Sequence, residues 1–417
     1  MVTYRPRVVD DELAQRMRAM GAVLIDGPKA VGKTQTASRV AETIFRLDTD
    51  DSALAALETY PDALFSHPTP ILFDEWQESP SIWNLVRRAV DDHQGRGLYL
   101  LTGSATPRDW GRMHSGAGRI SRLRMRPMSL FESGHSDGGI SLASLLAGEA
   151  PRGGSATLTV PELLERIVVG GWPETVDRVE ADARVWLRDY VTNLAEVDVP
   201  ALGSRRKPQN ILRLLAALGR AVGTPLKRRD LEVEVGGEGG AIASETLANY
   251  LSALERLMLV EPLEAWSPHM RSRTRLRASA VHHFVDPSLG TAALGVGTAD
   301  LLNDLSAAGF HFESLVMRDL RVYSQAHGVQ LSSWRDSQSS KEVDAVLELP
   351  NGRWAAVEVK LGEGAIDAAA SNLRQFADKV DVDRHGPPVA LIVVTGGRVA
   401  FRRHDGVVVV PITQLGP

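Results

Sequence analysis

"AVLIDGPKAVGKTQTAS", Ala22 to Ser38, decides how the chain begins. "AVLID" reads as an apolar strand, and Gly27-Pro28-Lys29-Ala30-Val31-Gly32-Lys33-Thr34 then spells G-x-x-x-x-G-K-[ST] in full. A helical pattern, "TQTASRVAETIF", follows it. The chemistry explains the spelling. Glycines let backbone N–H groups close around phosphate oxygens at a positive helix terminus. Lys33 is placed to reach the β and γ phosphates of a nucleotide, and Thr34 to offer its hydroxyl to Mg2+. A chance glycine-rich turn would not explain a strand before the loop and a helix after it.

The loop needs partners, and "TPILFDEW" supplies them. Asp74 ends a buried strand and is expected to hold Mg2+ through water, with Glu75 placed to polarise an attacking water. A D-E pair is also an ordinary solvated strand end; the upstream loop favours the chemical reading. In "LLTGSA", Thr102 and Ser104 sit at the tip of the next strand, where a hydroxyl can sense the γ-phosphate. Ser and Thr are common at strand ends, so that signal is weaker.

Composition bounds the rest. At 417 residues the chain is too long for one core and should divide into two to four domains. Apolar content of 43% and charged content of 24% are those of an ordinary globular protein. A formal charge of −5 gives no whole-molecule argument for nucleic acid, so any such binding must come from local basic patches. The absence of cysteine removes disulfides, thiolate zinc sites and thiol nucleophiles, and fits a reducing compartment. The start, "MVTYRPRVVDDELAQRM", lacks an apolar signal core, and no apolar run approaches the roughly 20 residues a bilayer requires. A cytoplasmic protein without membrane contact is expected.

Four regions follow from the patterning. Residues 1–133 alternate strands and helices as a parallel sheet requires. Residues 134–207 begin with a Gly-, Ser- and Ala-rich stretch, 134–158, read as loop or linker, and continue as a helical lid broken at "GGWPE". Residues 208–299 give three helices and a strand pair, the order of a winged helix-turn-helix. Its presumed third helix shows Asn249, Tyr250, Ser252 and Arg256, which is not notably basic, but "RSRTRLR" places Arg271, Arg273, Arg275 and Arg277 at every second position. On a strand all four guanidiniums would share one face, which suits the phosphates of DNA. A charged edge strand that resists aggregation is the other reading.

Residues 300–417 carry "KEVDAVLELPNGRWAAVEVK". Residues i and i+2 of a strand point to one side, so Glu358 and Lys360 share a face, and Asp344 on the adjacent strand can join Glu358 around a hard divalent cation, Mg2+ or Mn2+. Glu313, in the preceding helix, could complete the ligand set, and Lys360 would orient or activate the attacking water. An amphipathic hairpin with charged outward positions also yields E-V-K.

The strand–loop–helix, the D-E strand end, "TGS" and "GRISRLRMRPMSLFE" together resemble the AAA-type P-loop ATPases of bacteria and archaea, in particular those carrying a C-terminal domain of unknown function. "GGWPE", "FVDPSLG" and "FESLV…EVDAV…VEVK" continue the likeness through nearly the whole chain. The order E…D-x13-E-x-K separately resembles the PD-(D/E)xK nuclease superfamily. The resemblance implies an α/β chain: an ASCE/AAA-type P-loop ATPase sheet, a helical lid, a winged helix and a restriction-endonuclease-like α/β domain. It implies ATP as cofactor and substrate, ADP as product, DNA as partner and, because an arginine often completes a neighbouring subunit's site in this fold, a homo-oligomer. Arg119, or else Arg122, stands about where such an arginine falls. Many nuclease-superfamily members keep the fold and lose the reaction. The contrasting expectation is therefore a nucleotide-switched regulatory or scaffolding ATPase whose last domains bind proteins.

Overall fold

The computed structural model describes residues 4–104, 115–151, 158–203, 207–223, 227–266, 281–336 and 341–417. The chain divides into two compact units, Met1–Arg126 with Ala253–Leu259, and Pro127–Ser252 with Val260–Pro417.

The first unit runs α1 (Val9–Ala19), β1 (Ala22–Asp26), α2 (Lys33–Ser38), β2 (Thr43–Arg46), α3 (Asp51–Thr59), α4 (Asp62–Phe65), β3 (Ile71–Asp74), α5 (Ile82–His93), β4 (Tyr99–Gly103) and β5 (Ile120–Arg124). Its sheet has the order β2-β3-β4-β1-β5, and every pairing is parallel. Parallel sheets are covered on both faces, so their strands read as unbroken apolar runs. β1, β3 and β4 do so; Val23, Ile25, Ile71, Leu72, Phe73, Leu100 and Leu101 are fully buried. The expected helix over Thr34–Phe45 stops at Ser38. Thr43, Ile44 and Phe45 instead pair with Ile71, Leu72 and Phe73, and Phe45 stacks on Phe73 with centroids 5.7 Å apart. A strand partner has overridden the local helical pattern.

The second unit begins with β6 (Ile140–Ser141) and α6 (Leu142–Leu146), so the stretch expected as bare linker carries structure. β6 pairs in parallel with β15 (Leu415–Gly416), more than 270 residues away, and Ser136 Oγ donates to the Leu415 carbonyl at 2.7 Å. Helices α7 (Val160–Val169), α8 (Glu180–Asn193) and α9 (Val199–Ala201) follow. α7 starts on a capping box in which Glu162 accepts from Thr159 N at 2.7 Å. Next come α10 (Pro208–Arg220), α11 (Arg228–Gly236), α12 (Ser244–Arg256) and the antiparallel pair β7 (Val260–Leu263) and β8 (Val281–Phe284). Arg271, Arg273, Arg275 and Arg277 lie outside the described residues. α13 (Pro287–Leu294) approaches α10 closely: a Cβ on Gly219 would lie 2.9 Å from the Gly290 carbonyl oxygen.

After α14 (Thr298–Asn303), the 22-residue α15 (Leu305–Ala326) opens the last region, capped by Asp304, whose carboxylate accepts from Ala307 N at 3.0 Å. A mixed sheet of six strands follows, in the order β13 (Phe401–Arg402), β14 (Val408–Pro411), β12 (Ala390–Thr395), β11 (Trp354–Lys360), β10 (Glu342–Glu348) and β9 (Gln330–Arg335). α16 (Ile366–Ala377) covers one face, burying Leu373 and Phe376 against Trp354 and Val393; α17 (Val382–His385) is a single turn beyond it. Among the described residues no helix is long and apolar enough to cross a membrane.

Candidate active site at the phosphate loop and an acid–lysine cluster

The phosphate loop leaves β1 at the C-terminal edge of the parallel sheet. Gly32 takes φ +99 and Ala30 φ +65, so successive backbone N–H groups can turn into one concavity. A Cβ on Gly27 would stand 2.2 Å from the Met125 carbonyl oxygen, which only glycine allows. Pro28, Lys29 and Val31 complete the loop, and Val31 is buried. Lys33 is 5% exposed, and its Nζ donates to the carbonyls of Gly27 at 3.0 Å and Pro28 at 2.8 Å. Burial brings its pKa down to about 8, against the opposing pull of Glu75, Asp74 and Asp26.

Asp74 collects the site. Its Oδ1 accepts from Thr34 Oγ1 at 2.8 Å and from Thr102 Oγ1. The two residues expected to hold Mg2+, Thr34 and Asp74, therefore stand within one hydrogen bond of each other, and a hydroxyl with a carboxylate suits that hard cation. Glu75 adopts the left-handed conformation, φ +53, and Gln77 Nε2 donates to its Oε2. A charged residue held in that sparsely populated region is a mark of functional sites. "TGS" also gains a physical reading. Thr102 binds Asp74, Gly103 leaves room for Trp76 and Gln77 (a Cβ there would come within 2.6 Å of Gln77 Oε1), and Ser104 is buried at the strand tip.

The arginines fall differently. Arg119 precedes β5, where Ala22 N donates to its carbonyl, at the sheet edge opposite the phosphate loop. Its Nε lies 2.8 Å from Asp91 on α5. Within one chain Arg119 is not brought to the nucleotide site. Arg122 lies on β5, where burial lowers its pKa against the attraction of Asp26. Arg124, which the sequence reading passed over, pairs with Asp26 at 2.8 Å beside the loop.

In the second unit β10 and β11 bring Asp344, Glu358 and Lys360 together as the alternation predicts. Lys360 Nζ is 2.8 Å from Glu358 Oε2 and 3.7 Å from Asp344 Oδ2. Asp344 Oδ2 also accepts from Val359 N at 2.7 Å. Asn372 on α16, unforeseen in the sequence, donates its amide to Glu358 Oε1 at 2.6 Å and to the Glu342 carbonyl at 2.7 Å. Burial and the nearby Asp344 charge raise the Glu358 pKa to about 7, and burial raises Asp344 as well. Lys360 moves up despite burial, because Asp344 and Glu358 favour its charge. Glu313 on α15 is raised well above the usual carboxylate range by burial and then by Asp344. Its carboxylate oxygens lie 2.8 and 2.9 Å from where a Cβ on Gly223 would stand. Among the described residues no three His, Asp or Glu side chains are grouped as a metal ion needs. Two carboxylates fit a divalent cation; the lysine ammonium now lies between them.

The segments that carry the sequence likeness meet elsewhere, in one buried knot of the second unit. Arg318 on α15 donates to Asp286 at 2.9 Å and to Asp319 at 2.8 Å. Asp286 also accepts from Gly171 N at 2.9 Å, and Asp319 from Leu130 N at 3.0 Å. Trp172 Nε1 donates to Ser288 Oγ at 3.1 Å. "RPMSLFE", "GGWPE", "FVDPSLG" and the Arg318–Asp319 turn that follows "FESLV" on α15 are thus tied to one another through side chains with almost no solvent exposure.

Comparison with known proteins agrees with the geometry of the first unit. Residues 20–133 match the family model of an AAA domain. Residues 160–300 match a domain of unknown function (DUF8612), and residues 308–415 another (DUF4143). No curated protein matches the chain. Among solved structures it is similar to the Walker-type ATPase paby2304 of Pyrococcus abyssi, with 13% identity and a TM-score of 0.40 over 70% of this chain and 99% of that one. It is also similar to a RuvB variant of Thermotoga maritima, with 16% identity and a TM-score of 0.28 over 64% of this chain and 93% of that one. The parallel sheet, the phosphate loop and the matched segment give the N-terminal region the fold of an AAA-type P-loop domain.

Proposed function

We propose that the chain hydrolyses ATP with Lys33, Thr34, Asp74 and Glu75, and uses nucleotide state to govern a nucleic-acid task of its C-terminal regions. The observation that carries the first part is Asp74 Oδ1 receiving Thr34 and Thr102 while Glu75, next in sequence, is held in a left-handed conformation. Bound Mg2+ would offset charge growing on the transferred phosphoryl group. Lys33 would leave its own loop carbonyls for phosphate oxygens, and Glu75 would take the proton of the attacking water. Glu75→Gln should keep nucleotide binding and lose turnover on the order of 100-fold or more. Wild-type turnover in that variant would remove the base assignment.

For the C-terminal part, Asp344 and Glu358 would hold Mg2+ or Mn2+, Glu313 would act as an outer ligand, and Lys360 would stand beside the attacking water. The metal would stabilise charge on a phosphodiester. The winged-helix region 208–299, with its arginine row, would grip DNA through phosphate contacts. A second reading rests on Lys360, whose ammonium neutralises the acids it would share with a metal: the domain keeps a nuclease-like arrangement and binds a protein instead. Plasmid incubated with the protein and Mn2+, with and without ATP, separates these. Cleavage lost in Glu358→Ala supports the first. No cleavage, with binding to DNA insensitive to salt, supports the second, because phosphate contacts release counterions. Arg119 would act in a neighbouring subunit, and mixing Arg119→Ala with Lys33→Ala protein should restore part of the activity that each lacks alone.

A further inference from the structure

The N-terminal segment before α1 carries no recognised motif, yet it is fastened to the phosphate loop. Arg7 is 6% exposed. Its Nη1 donates to the Val31 carbonyl inside the loop at 2.8 Å, and its Nη2 to the Arg126 carbonyl at 2.6 Å. Asp10 fixes the segment by accepting from Arg7 N at 2.9 Å and from the Tyr4 hydroxyl at 2.6 Å. Tyr4 also stands 3.0 Å from Thr36 on α2, with the Arg39 guanidinium 4.3 Å above its ring. On the loop's other side, Gly27 lies against the Met125 carbonyl so closely that no side chain fits between them. The loop is therefore held from both sides by one short stretch, Met125 and Arg126. Arg126 ends the N-terminal segment of the first unit, and the chain enters the second at Pro127.

We infer that Arg7 is a positioning residue that sets the phosphate loop and transmits its occupancy to the chain where it leaves the ATPase unit. This rests on the nucleotide reading of the loop given above. Lys33 must release the Gly27 and Pro28 carbonyls to meet phosphate, and a loop that re-forms its carbonyl geometry moves Val31 with it. A guanidinium can follow that movement and pass it on because its planar fork spans two carbonyls at once. An ammonium donates from a single nitrogen and does not reproduce a fork in which Nη1 and Nη2 each meet a separate carbonyl.

Three proteins test this: wild type, Arg7→Lys, and Asp10→Asn, which loosens the segment while leaving the fork intact. For each, affinity for a non-hydrolysable ATP analogue, ATP turnover, and amide exchange within 125–128 (at Met125, Arg126 and Met128) with and without the analogue are measured on the full chain. In wild type the analogue should change exchange at 125–128. In Arg7→Lys affinity should fall on the order of ten-fold, with kcat changed less, and the exchange response at 125–128 should disappear even at saturation. Asp10→Asn should retain the response. An Arg7→Lys protein that binds and responds as wild type does overturns the inference while leaving the nucleotide site standing. A wild type that binds no nucleotide overturns both.

Discussion

A buried lysine, Lys33, and a half-buried one, Lys360, each beside carboxylates, show how the two candidate sites differ. Lys33 lies near Glu75, Asp74 and Asp26, yet burial wins and its pKa falls to about 8. Lys360 lies near Asp344 and Glu358, and there the carboxylates win and its pKa rises. The contacts explain the difference. Lys33 spends its donors on neutral carbonyls, so its charge is incompletely balanced and would gain from an arriving anion. Lys360 sits 2.8 Å from Glu358 Oε2, a charge-assisted contact that already balances it. An anion arriving at the first site would balance Lys33. The second is occupied by its own ion pair, and any cation would have to displace Lys360.

The largest effect is expected at another cation, fully buried, that awaits no ligand at all. Arg318 links Asp286 and Asp319 with no exposure worth counting, and its pKa stands above its ordinary value because those two acids outweigh burial. Removing one partner of such a pair leaves a charge buried without balance, at a cost of about 3–5 kcal/mol. Arg318→Met should therefore lower unfolding stability by that amount in a denaturant titration. An effect below about 1 kcal/mol would show that the knot is not a structural unit. Next in size, Lys33→Ala should weaken nucleotide binding on the order of 100-fold, whereas Lys360→Ala should leave it unchanged. Equal losses in both variants would break the contrast between the two lysines.

A subtler measurement addresses the direction of the Lys33 shift. Below pH 8 the free protein holds Lys33 charged; above it the proton leaves, well before the ordinary lysine range. Bound phosphate favours the charged form, so binding above pH 8 must take up a proton. Affinity should fall by up to about ten-fold per pH unit above 8. Calorimetry of nucleotide binding at pH 8.5, in two buffers of different ionisation enthalpy, reads the proton directly. Absence of uptake would mean that Lys33 is not depressed.

What the sequence could show depended on how local each feature is. The phosphate loop was legible because a motif of eight consecutive residues specifies its own backbone, down to the positive φ of Gly32. The Asp344–Glu358–Lys360 contact was legible because strand alternation and one hairpin turn suffice to build it. Arg7 was not, since its two acceptors lie 24 and 119 residues away. The knot joins four segments whose likeness to a family was visible, but whose mutual contacts only the fold creates. The β6–β15 pair was hidden in a stretch whose small residues read as linker, because two strands of two residues carry no period. The helix expected through Phe45 failed where a neighbouring strand offered better pairing.

The smallest effect is expected at Asn372, and it sharpens the account of the second site. Its amide holds Glu358 Oε1 at 2.6 Å and ties that carboxylate to the Glu342 backbone. Asn372→Ala loses hydrogen bonds of modest net worth, about 1 kcal/mol. The sign of its pH dependence is more informative than its size. Glu358 has a folded pKa near 7, above its ordinary 4.5, so the folded state binds the proton more tightly than the unfolded chain does. Its contribution is fully present below about 4.5 and is lost as pH rises to about 7, after which stability should be flat in this group. The Asn372 hydrogen bond favours the ionised carboxylate and pulls that pKa down. Without it the pKa climbs further, and the loss of stability should continue above pH 7. Denaturant unfolding at pH 6, 7 and 8 distinguishes the two profiles. If wild type and Asn372→Ala change in parallel across that range, the amide does not govern Glu358, and the carboxylate's state is set by burial, Asp344 and Lys360.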